Sequence, residues 1–236
     1  MRFEHRGTDA DSRILDRVWC TRSDTDAVMT SAARTSFHLI FARTRGRVAA
    51  GLRGPETRAT TAPVPAETEY LGVRFALGAV LRPHPAATVV DGYAPLPVTD
   101  AGRIVLGGEE WEAPTFENVE HFVRRLRLAG LLVPSTLDRD PRPGRGESER
   151  TRQRRYRAFT GMTRTTVAQI DRANAAATML RAGNDWATVV STLGFYDQAH
   201  LAHALRRFVG RTARELRTGD LAPMSFLYKT GSGAGS

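Results

Sequence analysis

The sequence predicts an α+β fold. A β-rich N-terminal domain, barrel or sandwich, spans residues 1–115, and an all-α domain spans 116–222 before a tail at 223–236. Three observations predict it. The hydrophobic pattern changes period near Phe116, from alternation to repeats of three and four. Charge divides at the same place. Residues 1–116 hold 14 Arg and 14 acids, whereas residues 117–220 hold 19 Arg and 11 acids, a surplus of +8. The third is the stretch WATVVSTLGFYDQAHLAHALRRFVGRTARELR at 186–217, whose spacing gives two short helices around a glycine turn.

In chain order, RVWCTRS alternates over the length of a strand. FHLIFARTRGRVAAGLRGP reads as two strands around a turn at Arg45-Gly46. ATTAPVPAE reads as a Pro-broken loop, and YLGVRFALGAVL as another strand. Pro83 and Pro85 open a turn-rich span that runs to Gly108. Short strands punctuated by Gly and Pro favour a sandwich or barrel.

FENVEHFVRRLRLAGLLV places Val119, Phe122, Val123, Leu126, Ala129 and Leu132 on one stripe, with His121 on the surface. PSTLDRDPRPGRG argues against a long helix. Ser148 is an N-cap for a helix that Gly161 ends. Arg150, Gln153, Arg154 and Arg157 share one side of it, opposite Tyr156 and Phe159. Its five arginines in eight residues repel one another unless an anion lies along them. RTTVAQIDRANAAATMLRAG buries Val167, Ile170, Ala173, Ala177 and Leu180 and stops at Gly183-Asn184. A helix of about nineteen residues is about 28 Å long, near the 34 Å or so between successive major grooves on one face of DNA.

In the 186–217 stretch, Trp186, Val189, Val190 and Leu193 make the first stripe and Gly194 ends the helix. Asp197 is the next N-cap. Leu201, Leu205 and Phe208 make a second stripe, and Gly210 stops that helix. Gln198, Ala199, Ala202, His203 and Arg206 occupy the remaining face. This is the plan of a helix-turn-helix DNA reader. The same spacing also fits an ordinary helical hairpin with solvated arginines.

The formal charge of +9 and pI near 10.8 suggest that the second half meets a polyanion. The single cysteine, Cys20, excludes an internal disulfide and a four-cysteine zinc site. His38 and His84 lie far apart, and Glu109 and Glu110 would point apart on a strand. No catalytic residue, metal or cofactor is expected. The first residues lack a signal-peptide core and no run reaches transmembrane length, so a cytoplasmic location and no membrane partner are expected. The terminal GSGAGS reads as a flexible linker.

These residues resemble the AraC-type transcriptional regulators over nearly the whole chain. SERTRQRRYRAFTG looks like a first recognition helix, TVAQIDRANAAATMLRAG like a linker helix, and LGFYDQAHLAHALRRFVG like a second helix-turn-helix unit. RGPETRAT, YLGVRFALG and FENVEHFVRRLRLAGLLV resemble the cupin-like β sensor domain of one subgroup, and MSFLYKT its tail. The resemblance implies double-stranded DNA as partner, RNA polymerase as a second, and a small-molecule effector in the first domain of a monomer or homodimer. It implies base contacts from Arg150, Gln153 and Arg154 in the first unit, and from Gln198, Ala199, His200, Ala202 and His203 in the second. Ser148, Thr151, Arg206 and Arg207 suit phosphates, and Arg157 would add charge. Arg152 stands where the family usually has an apolar residue, His203 where it often has Arg, and Ala213 where it usually has Pro. Residues 141–146 replace much of a scaffold helix, so the first unit is expected to bind less specifically than the second. The rival expectation is a cupin-like ligand- or metal-binding protein or enzyme with a basic helical appendage.

Overall fold

The computed structural model describes residues 2–6, 13–134 and 148–218. It is a mixed α+β chain, sheet-rich first and helical after. The strands are β1 (Arg2–Arg6), β2 (Leu15–Ser23), β3 (Ala27–Ser31), β4 (His38–Thr44), β5 (Arg47–Arg53), β6 (Thr60–Val64), β7 (Thr68–Phe75), β8 (Val80–Leu81), β9 (Tyr93–Leu96), β10 (Arg103–Leu106), β11 (Glu109–Glu112) and β12 (Leu132–Val133). The helices are α1 (Val119–Leu128), α2 (Glu149–Thr160), α3 (Arg164–Arg181), α4 (Trp186–Leu193), α5 (Gln198–Ala204) and α6 (Ala213–Thr218). A π-helical segment, Leu205–Val209, continues α5. No helix among the described residues is long and apolar enough to cross a membrane.

The described residues fall into two compact units that interleave along the chain. One takes residues up to 25, then 35–55 and 65–164. The other takes 26–34, 56–64 and the residues from 165 onward. The helices α4, α5 and α6 therefore share their unit with β3 and β6, which lie within the first 115 residues.

The first unit is built on an antiparallel sheet in the order β1-β2-β7-β4-β5-β9. No ladder among the described residues joins β9 back to β1, so this is an open sheet. Register follows from alternation, because a shift of one residue would turn every core side chain outward. Val73, Leu39 and Leu52 form one cross-strand row, and Leu71, Phe41 and Ala50 the next. All six are buried. The hairpin between β4 and β5 turns on Arg45 and Gly46, with φ of +49° and +79°. Two positive φ values are what a two-residue hairpin turn with the right-handed strand twist requires.

α1 covers the sheet through Val119, Phe122, Val123 and Leu126. The Phe122 ring meets Phe41 edge-on at 5.7 Å and Trp111 at 6.2 Å. His121 is exposed, as expected, but so is Ala129, because it is already the C-cap of α1. Leu132 is buried as part of β12, not of a helix.

Two other expectations change. The span read as a Pro-broken loop contains β6, which among the described residues forms a two-stranded ladder with β3, placing Pro63 opposite Val28. A two-stranded ladder has free edges on both sides, so a residue without an N–H is tolerated there. β3 itself carries no clear alternation. The span from Pro83 to Gly108 holds β9 and β10, which are too short to show a period. The expectations for 135–147 and for the tail lie outside the described residues.

Gly72 sits beneath Trp19, where an added Cβ would come within 2.0 Å of the indole. Overfilling of this kind typically costs about 1–3 kcal/mol. Gly72→Ala should lower stability by that amount in denaturant unfolding, and Trp19→Leu in the same chain should recover part of it. Unchanged stability in Gly72→Ala would refute this packing.

Candidate nucleic-acid interface

The second unit sets α4 and α5 around a fixed turn. Asp185 caps α4 by accepting from the Thr188 N–H at 2.8 Å. Gly194 ends it with φ of +66°, a left-handed value that glycine adopts without a Cβ penalty. The Arg172 guanidinium, from α3, donates to the Gly194 carbonyl at 3.3 Å and lies 4.8 Å over the Phe195 ring. Phe195 is buried. Asp197 then caps α5, accepting from the His200 N–H at 2.7 Å.

The packing stripe of α5 is the expected one: Leu201, Leu205 and Phe208 are buried, with Ala204 and Val209. Gln198, Ala199, His200, His203, Arg206 and Arg207 are exposed, and Ala202 is half-buried. At 100° per residue, Ala199, Ala202, His203 and Arg206 lie opposite the buried stripe, with Gln198 at the entry. Two side chains are partly engaged. His200 accepts the Tyr196 N–H on Nδ1 at 3.3 Å and packs on Phe195, so it braces the turn. Arg207 folds back over Phe208, 4.8 Å from the ring.

The expected α4 stripe is only partly buried. Val189 is buried, Val190 and Leu193 are half-buried, and Trp186 is 44% exposed. Trp186 is the first residue of α4, too early to reach the packed side. It borders a groove of about 440 Å³ with Leu180, Gln198, Leu201, Arg214 and Arg217.

α2 belongs to the first unit. Gly161 ends it at φ +75°, close against Val90 and the carbonyl of Ala86. Ser148 caps the helix, accepting from the Thr151 N–H at 3.2 Å, and its hydroxyl meets that of Thr151 at 3.1 Å. Glu149 pairs with Arg152 and accepts from Gln153 Nε2 at 3.2 Å. The Arg152 contact holds the Glu149 carboxyl below its usual range. Arg150, Arg154 and Arg157 are exposed. The residues of the two expected contact groups therefore come together within each helix, and the two helices fall in different compact units.

The sheet carries a separate cavity of about 420 Å³. Arg22, Glu69 and Arg43 form a cross-strand row in it, and Cys20, Leu71 and Phe41 the row beneath. Arg43 is anchored to the carbonyls of Ala113 and Pro114 at 3.0 and 3.2 Å. Among the described residues, no three His, Cys, Asp or Glu side chains gather as a metal ion would require.

No family model matches the chain, and no curated protein or solved structure matches it either.

Several residues that shape this unit were not legible as site residues. Arg172 reads as one more charge on α3, and Ala33, Ala59 and Thr30 lie in another part of the sequence. Arg211 donates to Thr30 Oγ1 at 2.9 Å across 181 residues, a pairing that no local pattern encodes.

Asp185 and Glu215 both lie below their ordinary carboxylate range, chiefly because the N–H groups of Thr188 and Thr212 donate to them. A lowered folded pKa stabilises fully above the unfolded value, about 4, and that contribution is lost as pH falls through the folded value. The melting temperature should therefore drop below about pH 4, and Asp185→Asn should flatten part of that drop. An identical acid profile in the variant would refute it. Asp197→Ala should cost about 1 kcal/mol by loss of the α5 cap in denaturant unfolding.

Proposed function

We propose that this chain is a sequence-specific DNA-binding transcriptional regulator of AraC type. α4, the glycine turn and α5 act as a helix-turn-helix whose α5 enters the major groove. α2 is the recognition helix of a first unit, and the two engage successive grooves. One observation carries the reading: α5 buries Leu201, Leu205 and Phe208 while leaving Gln198, Ala199, His203 and Arg206 exposed on a capped, braced helix. Base reading needs such fixed placement, because paired hydrogen bonds tolerate little error.

The roles then divide by chemistry. Gln198 can read adenine through a paired hydrogen bond, with His203 beside it. Arg206 and Arg207 face phosphates, which position without specifying. On α2, Gln153 is held by Glu149; Arg157 acts as a sequence-tolerant cationic contact, while Arg150 and Arg154 stand exposed at positions that can also meet a guanine edge. The sheet cavity, with its apolar floor and its Arg22-Glu69-Arg43 rim, is the place for a small-molecule effector.

If 6–10 phosphates are neutralised, affinity should fall by about 10³–10⁵ between 50 and 200 mM salt. The decisive experiment selects bound duplexes from a random pool with the full chain, then compares preferred and random duplexes. Gln198→Ala should reduce binding to the preferred duplex by roughly 1–3 kcal/mol and leave random DNA nearly unchanged. Arg157→Ala should weaken both alike and reduce the salt slope by about one. A flat salt dependence, or no enriched duplex from the pool, would overturn the reading.

A further inference from the structure

The helix that presents Gln198 and His203 ends against a β ribbon from the other half of the sequence. β3 and β6 pair from Ala27-Val64 to Ser31-Thr60, and the chains meet once more where Arg34 bridges Glu56. Two residues on one side and three on the other separate those pairings. The ribbon is open there, and N–H groups in the gap need partners elsewhere, since a buried unpaired N–H is costly.

Two of them go to the end of the α5 segment. Ala33 donates to the Phe208 carbonyl at 2.7 Å, and Ala59 donates to the Arg207 carbonyl at 2.8 Å. Those carbonyls lie in the last turn, where a helix has no acceptor use of its own. The turn is also wide, with the Gly210 N–H reaching back to the Leu205 carbonyl at 2.9 Å. Gly210 has φ of +73°, and a Cβ there would lie 2.9 Å from that of Ala59.

Side chains fasten the same junction. The Asn174 Nδ2, on α3, donates to the Ala33 carbonyl at 3.1 Å, and Arg211 donates to Thr30 Oγ1. Beneath the opening, Glu56 accepts from Ser31 at 2.8 Å and from Thr60 at 3.0 Å, with the Arg34 guanidinium 3.7 Å away. Arg34, Glu56, Ser31, Ala32 and Ala33 are all buried.

We infer that this ribbon positions the reading helix: Ala33 and Ala59 clamp the C-terminal end of α5 through their backbone N–H groups, and sequence preference depends on the clamp. The inference rests on the DNA-reading role proposed above. The ribbon touches the helix at the end away from Gln198, so it is a positioning element and not a contact surface. A loosened end lets α5 pivot about its capped start. Base contacts are lost before phosphate contacts, because only the former need fixed angles.

The test uses the full chain with two substitutions and two readouts. Ala59→Pro removes one donated N–H. Asn174→Ala is gentler, because it removes only the brace on Ala33 at a helix position where alanine is well tolerated. Amide hydrogen exchange is followed at residues 205–210, and binding is compared on preferred and random duplexes. Loss of the clamp bond in Ala59→Pro, or of the brace on Ala33 in Asn174→Ala, should speed exchange in this segment about fivefold or more, while α4 remains protected. The ratio of preferred to random binding should fall by a similar factor, with random binding unchanged. Unaltered exchange at 205–210 in both variants overturns the clamp whatever the DNA results. Faster exchange with an intact ratio overturns its role in preference. A wild-type chain with no preferred duplex overturns the DNA-reading role, while the exchange experiment still decides the clamp.

Discussion

An opened ribbon and a helix end share one requirement, which is that buried backbone groups be paired. β3 and β6 separate before Arg34 and Glu56 rejoin, leaving N–H groups at Ala33 and Ala59. The α5 segment ends with carbonyls at Arg207 and Phe208 that no later turn takes up. Each surplus satisfies the other. A helix of seven residues with a five-residue π extension has little stability of its own, since isolated helices that short are marginal in water. Its placement depends on Leu201, Leu205 and Phe208 packing beneath it, on Asp197 at its start and on the ribbon at its end.

The Arg34-Glu56 pair belongs to the same economy of buried polar groups. An ion pair out of water adds little net stability, but half of one is strongly destabilising. Here the carboxylate is shared among Ser31, Thr60 and the guanidinium, so its acceptors are used. That arrangement specifies where the two strands rejoin, and hence where the gap in the ribbon opens. The alternative of a hydrophobic plug would hold the strands together with no fixed register.

What was legible follows from range. Caps and stops are local chemistry, and Ser148, Asp197, Gly161, Gly194 and Gly210 all act as the sequence suggests. The Arg45-Gly46 hairpin is equally local. The buried stripes of α1, α3 and α5 were readable because a period of 3.6 needs only ten residues or so to declare itself. β3 and β6 were not readable. Each has five residues, β6 contains Pro63, and their stability comes from each other and from helices more than a hundred residues away. Trp186 misled because helical spacing gives an angle and not a depth, and the first residue of α4 has no turn before it to cover it. Of the expected contact face, Gln198, Ala199, His203 and Arg206 stand exposed, while His200 also serves the turn.

Charge alone would rank α2 above α5 as a DNA contact, with five arginines in eight residues against two. Placement argues for a different ranking of specificity. On α2, Gln153 already donates to Glu149, and the Ser148 and Thr151 hydroxyls meet each other, so what the helix leaves exposed is Arg150, Arg154 and Arg157. Its free resource is positive charge, which acts at distances comparable to the Debye length, about 8–10 Å in physiological salt, and is indifferent to angle. On α5 the balance is reversed. Charge is modest, but Gln198 and His203 project from a helix fixed at its start by Asp197 and at its end by Ala33 and Ala59. Under the proposed function, the first helix therefore brings DNA to the chain and the second decides which DNA stays. Charge density governs the first and geometry the second.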